Sequence, residues 1–245
     1  VNFYRIIHLG KMERCSDIQQ KRRMIWFGCS HTFGHSLPDC PRVVYERGEQ
    51  PSKYAFPQLV SDAVGRECVN LSWPGSSNKY ARFKALQVDY QPGDIVVFVW
   101  TFLERSMILL KNGEAKHVGF WGIGDIQKRW HTNTLWSKYI SCSNDKDLRT
   151  DQLYIMDHTH RVLLEKPNID KIYHYTVDSG VYGWANPSWV KFNFRGHLNI
   201  FIDRMNEQNI EVDKASDNAH WGVNTHKFFA EQILHDNNFK GEYNV

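Results

Sequence analysis

The segment that most constrains the fold is the run DIVVFVW from Asp94 to Trp100, which is almost continuously apolar and rich in valine. A strand with one face in water alternates apolar and polar residues, whereas a parallel strand covered on both faces stays apolar throughout. Pro92 and Gly93 mark the start of this run. It therefore predicts a parallel strand buried between two layers of helices.

Shorter apolar segments alternate with helical patterns along the rest of the chain. Further strands are predicted at 24–28, 67–71, 171–177 and 210–212, and a hairpin around Asn112-Gly113. Helices are predicted at 54–64, 78–90, 126–140, 148–164, 197–205 and 224–235. The alternation indicates an α/β fold with one doubly wound, mostly parallel sheet.

Length and charge exclude several classes of protein. The 245 residues suit one α/β domain, or at most two small ones. The net charge is only +3, and no basic block is interleaved with aromatic residues, so we expect no nucleic-acid partner. No apolar segment approaches the roughly 20 residues that span a bilayer, so we expect no membrane segment. We assign 24–245 to the domain and 1–23 to an N-terminal extension, with a short packed helix as the alternative for 1–23.

The cysteines favour a reducing compartment. There are five, an odd number, and no CxxC pair occurs, so neither a disulfide framework nor a cysteine zinc cluster is expected. The N-terminal residues lack the apolar region of a signal peptide. We therefore expect a cytoplasmic protein with reduced thiols, and a virion-associated protein is the alternative.

Four segments follow predicted strands or precede the last helix. They are 28–34 (GCSHTFG), 72–78 (SWPGSSN), 101–105 (TFLER) and 217–222 (DNAHWG). In a doubly wound sheet, the loops at the carboxyl ends of the strands form the ligand site. We therefore expect these segments to meet.

Taken together, the four segments resemble the blocks of the SGNH (GDSL-type) hydrolase family over about 24–234. The resemblance implies a flavodoxin-like three-layer α/β/α fold and a serine esterase without metal or cofactor. It implies that Ser30 is the nucleophile and that Asp217 and His220, spaced D-x-x-H, are the acid and base of a triad. Gly75 stands where the family has a glycine whose N–H enters the oxyanion hole, and Ser30 is counted among the oxyanion residues.

The chain departs from the family pattern at two places. Cys29 replaces the aspartate before the serine, and the third block lacks its Gly-x-Asn-Asp. The missing asparagine is an oxyanion donor, and loss of one such donor can cost about 2.7–4 kcal/mol of transition-state stabilisation. We predict that Asn78 replaces it, with Thr101 as the alternative donor and helix capping as the alternative role of Asn78.

The substrate is predicted less directly. The family resemblance and the aromatic loops favour a small acyl ester, most naturally an acetyl ester, on a small molecule or carbohydrate. Thr101, Arg105 and Trp184 are predicted substrate contacts. Bracing of the loop is the alternative role of Arg105, and core packing is the alternative role of the aromatic loop that carries Trp184. An acyltransferase, or a non-catalytic glycan-binding or structural protein, remains open, as does the oligomeric state.

Two histidine pairs are interpreted as non-ligands. Gly34 and Pro38 argue against a helix that would bring His31 and His35 onto one face. In the segment 157–160 (DHTH), residues two apart on a helix do not face each other, so a solvated helix face is expected there.

Overall fold

The computed structural model describes residues 22–40, 50–109, 111–112, 115–118, 145–177 and 187–239. Its strands are β1 Arg23–Phe27, β2 Glu67–Asn70, β3 Asp94–Trp100, β4 Ser106–Leu109, β5 Ala115–Val118, β6 Ile169–Thr176 and β7 Gly196–His197. Its helices are α1 Ser30–Phe33, α2 Phe56–Ala63, α3 Asn78–Ala85, α4 Asp145–Leu164, α5 Leu198–Glu207 and α6 Val223–Asp236.

The main sheet has five strands in the order β2-β1-β3-β6-β7, and all of its pairings are parallel. Without the separate β4–β5 hairpin, this is the 2-1-3-4-5 order of flavodoxin-like folds. β3 lies in the centre and every one of its residues is buried. The predicted fold class and the burial of the valine-rich strand between two layers of helices are confirmed.

Successive residues of the central strands point into two different cores, as the alternation of side chains along a strand requires. Trp26 and Val97 face one layer, which is built from α2, α5 and α6. Phe27 and Phe98 face the other, built from α3 and α4, and their rings stack 5.0 Å apart. Helices therefore cover both faces of the sheet.

Several predicted elements have different limits. The helix predicted at 78–90 ends at Ala85, whose carbonyl accepts a hydrogen bond from the Tyr90 hydroxyl at 2.8 Å. The strand predicted at 210–212 is wrong, since the fifth strand is β7, where Gly196 pairs with Tyr175. The hairpin is confirmed by the antiparallel pairing of β4 and β5. The helix predicted at 126–140 and nearly all of the 1–23 extension lie outside the described residues.

The predicted solvated face at 157–160 is also wrong, because in this stretch of α4 only His158 is exposed. Asp157 is buried and accepts hydrogen bonds from the Lys191 N–H at 2.7 Å and the Arg161 guanidinium at 2.6 Å. His160 is bound to His174 with a separation of 3.0 Å between Nδ1 and Nε2. The polar residues of this segment therefore belong to a buried hydrogen-bond network, which their alternation in the sequence does not indicate.

Within the part of the chain that the structure describes, no helix has the length and apolarity needed to cross a membrane.

Candidate active site

The first site loop begins where β1 ends and turns directly into α1. A side chain at Gly28 would collide with Thr32 in the following helical turn, so the tight return of the chain depends on glycine. Ser30 is the first residue of α1 and is 6% exposed. The N–H groups of a helix's first turn have no partner within the helix, so the Ser30 N–H is available to a ligand.

Cys29, at a position where the family that the sequence resembles has an aspartate, is fully buried in the core on the α2 side of the sheet. A carboxylate in this apolar position would need a compensating partner. A thiol fits there without one, so cysteine at this position leaves the loop able to form α1.

The D-x-x-H segment forms a tight turn that already joins its two functional side chains. His220 Nδ1 lies 2.6 Å from Asp217 Oδ2. The other carboxylate oxygen of Asp217 accepts the backbone N–H groups of Ala219 and His220, each at 3.0 Å. Asn218, between them, adopts a left-handed backbone with φ of 55°, which asparagine tolerates better than most residues.

Hydrogen bonds keep Asp217 ionised. Partial burial raises the pKa of this carboxyl, but the bonds from the His220 N–H, the His220 ring and the Ser36 hydroxyl outweigh burial, and the pKa lies well below its usual range. The carboxylate therefore faces His220 as an anion at neutral pH.

Ser36 connects this turn to the loop that follows α1. Its hydroxyl donates to Asp217 Oδ2 at 2.8 Å, and its carbonyl accepts the N–H and hydroxyl of Ser216 at 3.3 and 3.0 Å. Ser36 has a φ of 68°, an unusual conformation for a residue with a side chain. The sequence analysis missed Ser36, since nothing local in the sequence distinguishes it.

Asp213 anchors the other end of the turn and was also missed. Its carboxylate accepts the backbone N–H groups of Asn224 and Thr225, at 3.0 and 2.7 Å, in the first turn of α6. A side chain at Gly222 would collide with this carboxylate. The N-cap residue itself is Gly222, and Asp213 lies 11 positions before Asn224, so no local capping pattern in the sequence identifies this contact.

The two loops meet through aromatic rings. The ring of His31, the residue after Ser30, lies 5.0 Å from that of His220 and 4.2 Å from that of Trp221. The His35 ring lies 4.8 Å from that of His220. The structure thus brings the Ser30 loop and the D-x-x-H turn together.

In the described residues no hydrogen bond joins Ser30 Oγ to His220, and catalytic hydrogen bonds often tighten only when substrate is bound.

His31 is held neutral beside this meeting point. Burial lowers its pKa well below the usual value, and the proximity of His220 and Arg105 lowers it further. Its Nδ1 atom is buried without a hydrogen-bond partner among the described groups.

The second site loop is tied to the first. The Trp73 N–H and the Ser76 hydroxyl both donate to the Gly28 carbonyl, at 3.2 and 2.7 Å. Gly75, between them, has a φ of 73°, which favours glycine. Among the described groups we find no hydrogen-bond acceptor for the Gly75 N–H, as an oxyanion donor requires.

Asn78 is buried at the start of α3, and its amide is fully used. Its Nδ2 donates to the Thr101 carbonyl at 3.2 Å and to Gln152 Oε1 at 2.9 Å, while its Oδ1 accepts the Thr101 N–H at 2.7 Å. It would have to break one of these bonds to donate to an oxyanion. The geometry therefore favours a role in holding the third site loop, residues 101–105, against α3 and α4.

Arg105 lies in the same network. It donates to Thr101 Oγ1 at 3.1 Å and to the Ser76 carbonyl at 3.5 Å, and its guanidinium lies 4.7 Å from the centre of the Phe102 ring. These contacts favour the bracing alternative over a substrate contact. Trp184, the third predicted substrate contact, lies outside the described residues.

One group of side chains has the composition of a metal site. His35, Asp217 and His220 each offer one ligand atom, and these atoms lie within 4.8 Å of one another. As predicted, His31 and His35 do not share a helical face, because α1 ends at Phe33 and Gly34 turns left-handed with φ of 80°. The interpretation of His35 as a non-ligand does not follow from this, since its ring joins the group from the loop after α1.

No protein-family model matches the chain, and no curated protein sequence matches it. Among solved structures, a carbohydrate esterase is similar at 12% identity and a TM-score of 0.49, covering 89% of this chain and 68% of the esterase. An acetyl xylan esterase from the rumen bacterium Butyrivibrio proteoclasticus is similar at 10% identity and a TM-score of 0.44, and the match covers 91% of this chain and 65% of the esterase. An acetylxylan esterase from Geobacillus stearothermophilus is similar at 16% identity and a TM-score of 0.37, and the match covers 88% of this chain and 93% of the esterase. At such identities, the chemistry of this chain rests on its own residues.

Proposed function

We propose that this protein is a serine-dependent ester hydrolase in which Ser30 is the nucleophile, His220 the general base and Asp217 the acid that orients the imidazole. The observation that carries the proposal is the 2.6 Å contact between His220 Nδ1 and Asp217 Oδ2, on a turn that packs against the loop of Ser30.

The charge on Asp217 decides the tautomer of His220. An ionised carboxylate only accepts hydrogen bonds, so the proton between the two groups belongs to His220 Nδ1. The neutral imidazole then has its lone pair on Nε2, which is the atom that must take the proton from a nucleophilic serine.

The reaction follows in two balanced steps. Ser30 Oγ forms a bond to the ester carbonyl carbon while its proton passes to His220 Nε2, and the same proton leaves on the alcohol when the ester C–O bond breaks. Water then attacks the acyl-serine, giving its proton to His220 and releasing the acid and the serine hydroxyl. An acceptor alcohol in place of water would make the protein an acyltransferase.

The oxyanion formed in each step needs preorganised donors. The backbone N–H groups of Ser30 and Gly75 suit this role, because the two loops that carry them are bonded together at the Gly28 carbonyl. The sequence predicts Asn78 as a third donor, but the three hydrogen bonds of its amide favour the bracing role. Its existing hydrogen bonds favour the rival proposal of a non-catalytic member of the fold, so this residue is tested separately below.

For the substrate we propose a small acyl ester, foremost an acetyl ester of a sugar, on the basis of the sequence resemblance. Transfer is distinguished from hydrolysis by offering an acetyl ester with and without a sugar acceptor and measuring acetylated sugar against free acetate.

The test of the nucleophile is labelling with a fluorophosphonate, which reacts with activated serine hydroxyls. We expect stoichiometric labelling of the wild-type protein and none of Ser30→Ala, while Ser188→Ala, which alters an exposed serine, labels normally. Mass spectrometry of the labelled peptide locates the adduct. Folded wild-type protein that takes up no label, or a label on another serine, would overturn the proposal.

A further inference from the structure

We propose that His35, Asp217 and His220 form a binding site for a divalent transition metal ion, with Zn²⁺ as the best fit. The binding itself is independent of the proposed esterase function. Its consequence, that the bound ion blocks the serine chemistry, rests on that function.

The three side chains converge from two loops that the structure already fastens together. Their ligand atoms lie within 4.8 Å of one another, and the His35 and His220 rings meet nearly edge to face at 67°. Two ligands about 2.0–2.1 Å from a tetrahedral zinc ion are roughly 3.3 Å apart. Closing the group around an ion therefore takes movements of the order of 1 Å.

Hydrogen bonds fix the backbone next to these ligands in both loops. Ser36, next to His35, bonds to Asp217 through its hydroxyl and to Ser216 through its carbonyl. The Asp217 carboxylate also accepts the N–H of His220. A metal ion would bind to a preformed arrangement and would not have to organise two separate loops.

The ligand types select the metal. Two imidazoles and a carboxylate form one of the common three-residue sets for zinc, with the fourth position open to water or another ligand. Magnesium and calcium prefer sets made only of oxygen atoms. The Asp217 and His220 side chains are 30% and 19% exposed, so an ion from solution can reach them.

Metal binding and catalysis use the same two side chains, Asp217 and His220. In the structure, His220 Nδ1 lies 2.6 Å from Asp217 Oδ2, and the proposed mechanism needs a hydrogen bond there to keep the lone pair on Nε2. An ion held by both side chains replaces the hydrogen bond. The metal-bound state therefore lacks the oriented base, and zinc acts as a reversible inhibitor.

The decisive experiment uses the full chain carrying Ser30→Ala, so that no hydrolytic activity is involved. Zinc chloride is titrated by calorimetry, and cobalt(II) is added separately so that its visible spectrum reports coordination by imidazole. We expect one high-affinity equivalent of zinc and a four- or five-coordinate cobalt spectrum.

Two further variants locate the site in the same background. Loss of a residue that only hydrogen-bonds to a metal ligand costs about 10- to 100-fold in metal affinity, and loss of a ligand itself should weaken binding at least as much. We expect that weakening for His35→Ala and none for His158→Ala, which removes an exposed histidine of α4. Circular dichroism confirms that each variant is folded. Equal zinc affinity in both variants, or no high-affinity equivalent in their folded parent, would overturn the site.

Inhibition is a separate arm. If Ser30 labels with fluorophosphonate, zinc should slow the labelling and a chelator should restore it. Metal binding without any labelling would refute the esterase proposal and keep the metal site. Labelling that saturating zinc leaves unchanged would refute the competition.

Discussion

The Ser36 hydroxyl donates to Asp217 Oδ2, at 2.8 Å, across a sequence separation of 181 positions. The same oxygen receives His220 Nδ1 at 2.6 Å. One carboxylate oxygen thus links the loop after the first strand to the turn before the last helix. Ser36 accepts an unfavourable φ of 68° to make this bond, and strain of this kind concentrates at functional sites.

Removal of the Ser36 hydroxyl should lower kcat. A hydrogen bond to a charged group contributes about 1.5–3 kcal/mol, so we expect Ser36→Ala to lose roughly 10- to 100-fold in kcat, with KM little changed. Ser36→Gly relieves the backbone strain and also lacks the hydroxyl, so it should lose as much activity. If Ser36→Gly retained full activity, strain and not the hydrogen bond would account for the alanine effect.

Asp217→Asn should abolish most of the turnover while leaving the fold in place. An amide in this position donates as well as accepts, so it can hold the His220 tautomer with its proton on Nε2, which cannot act as a base. In serine hydrolases of known mechanism, this type of change costs about 10⁴-fold in kcat. Hydrolysis rates of an activated acetyl ester measure the loss, and thermal unfolding measures the fold. A variant that keeps a tenth of the activity would show that Asp217 does not orient the base.

The fold was largely predictable because hydrophobic periodicity encodes it. The valine-rich run at 94–100 predicted a parallel strand buried on both faces, with the same limits as β3. The short β7 was not predictable, because two residues carry no period, and its pairing with β6 is fixed only in three dimensions.

In the candidate site, too, contacts between residues close in the sequence were predictable and contacts between distant residues were not. The spacing of Asp217 and His220 within one turn is local, so the sequence alone indicated their contact. The roles of Ser36 and Gln152 depend on partners far away in the chain, as with the bond from Asn78 to Gln152 across 74 positions. Single-sequence patterns contain no information on such pairs.

Asn78→Ala tests whether the amide braces the loop or serves as an oxyanion donor. Loss of the amide leaves the Thr101 N–H and carbonyl without their Asn78 partner, and each unsatisfied buried group costs about 1–3 kcal/mol. We expect a lower free energy of unfolding by denaturant. Gln152→Ala, which removes one partner of the same amide, should destabilise in the same direction by less.

The kinetic result separates the two roles of Asn78. A donor lost from the oxyanion hole lowers kcat by about 10²- to 10³-fold. We expect a smaller loss for Asn78→Ala, comparable to that of Gln152→Ala at a temperature where both variants are folded. A large loss of kcat confined to Asn78→Ala would instead establish the predicted donor role.

Buried neutral histidines should make the protein less stable below neutral pH. Burial lowers the pKa of His226 to about 3 and holds that of His174 well below its usual value. His226 accepts the Phe56 N–H at the start of α2, and His174 accepts the Trp100 indole N–H, so both use the unprotonated form. The unfolded chain takes up these protons near pH 6.5, whereas the folded chain does not.

The direction of the pH effect follows from proton binding. Below pH 6.5 the unfolded state binds more protons, so the free energy of unfolding falls as pH falls, by up to about 1.4 kcal/mol per pH unit for each such histidine. Above pH 6.5 these residues contribute no slope. Denaturant unfolding measured between pH 7.5 and 5 should show this break. His226→Gln, which retains an acceptor but does not titrate, should flatten the slope relative to His158→Gln, and equal slopes in the two variants would contradict the assignment.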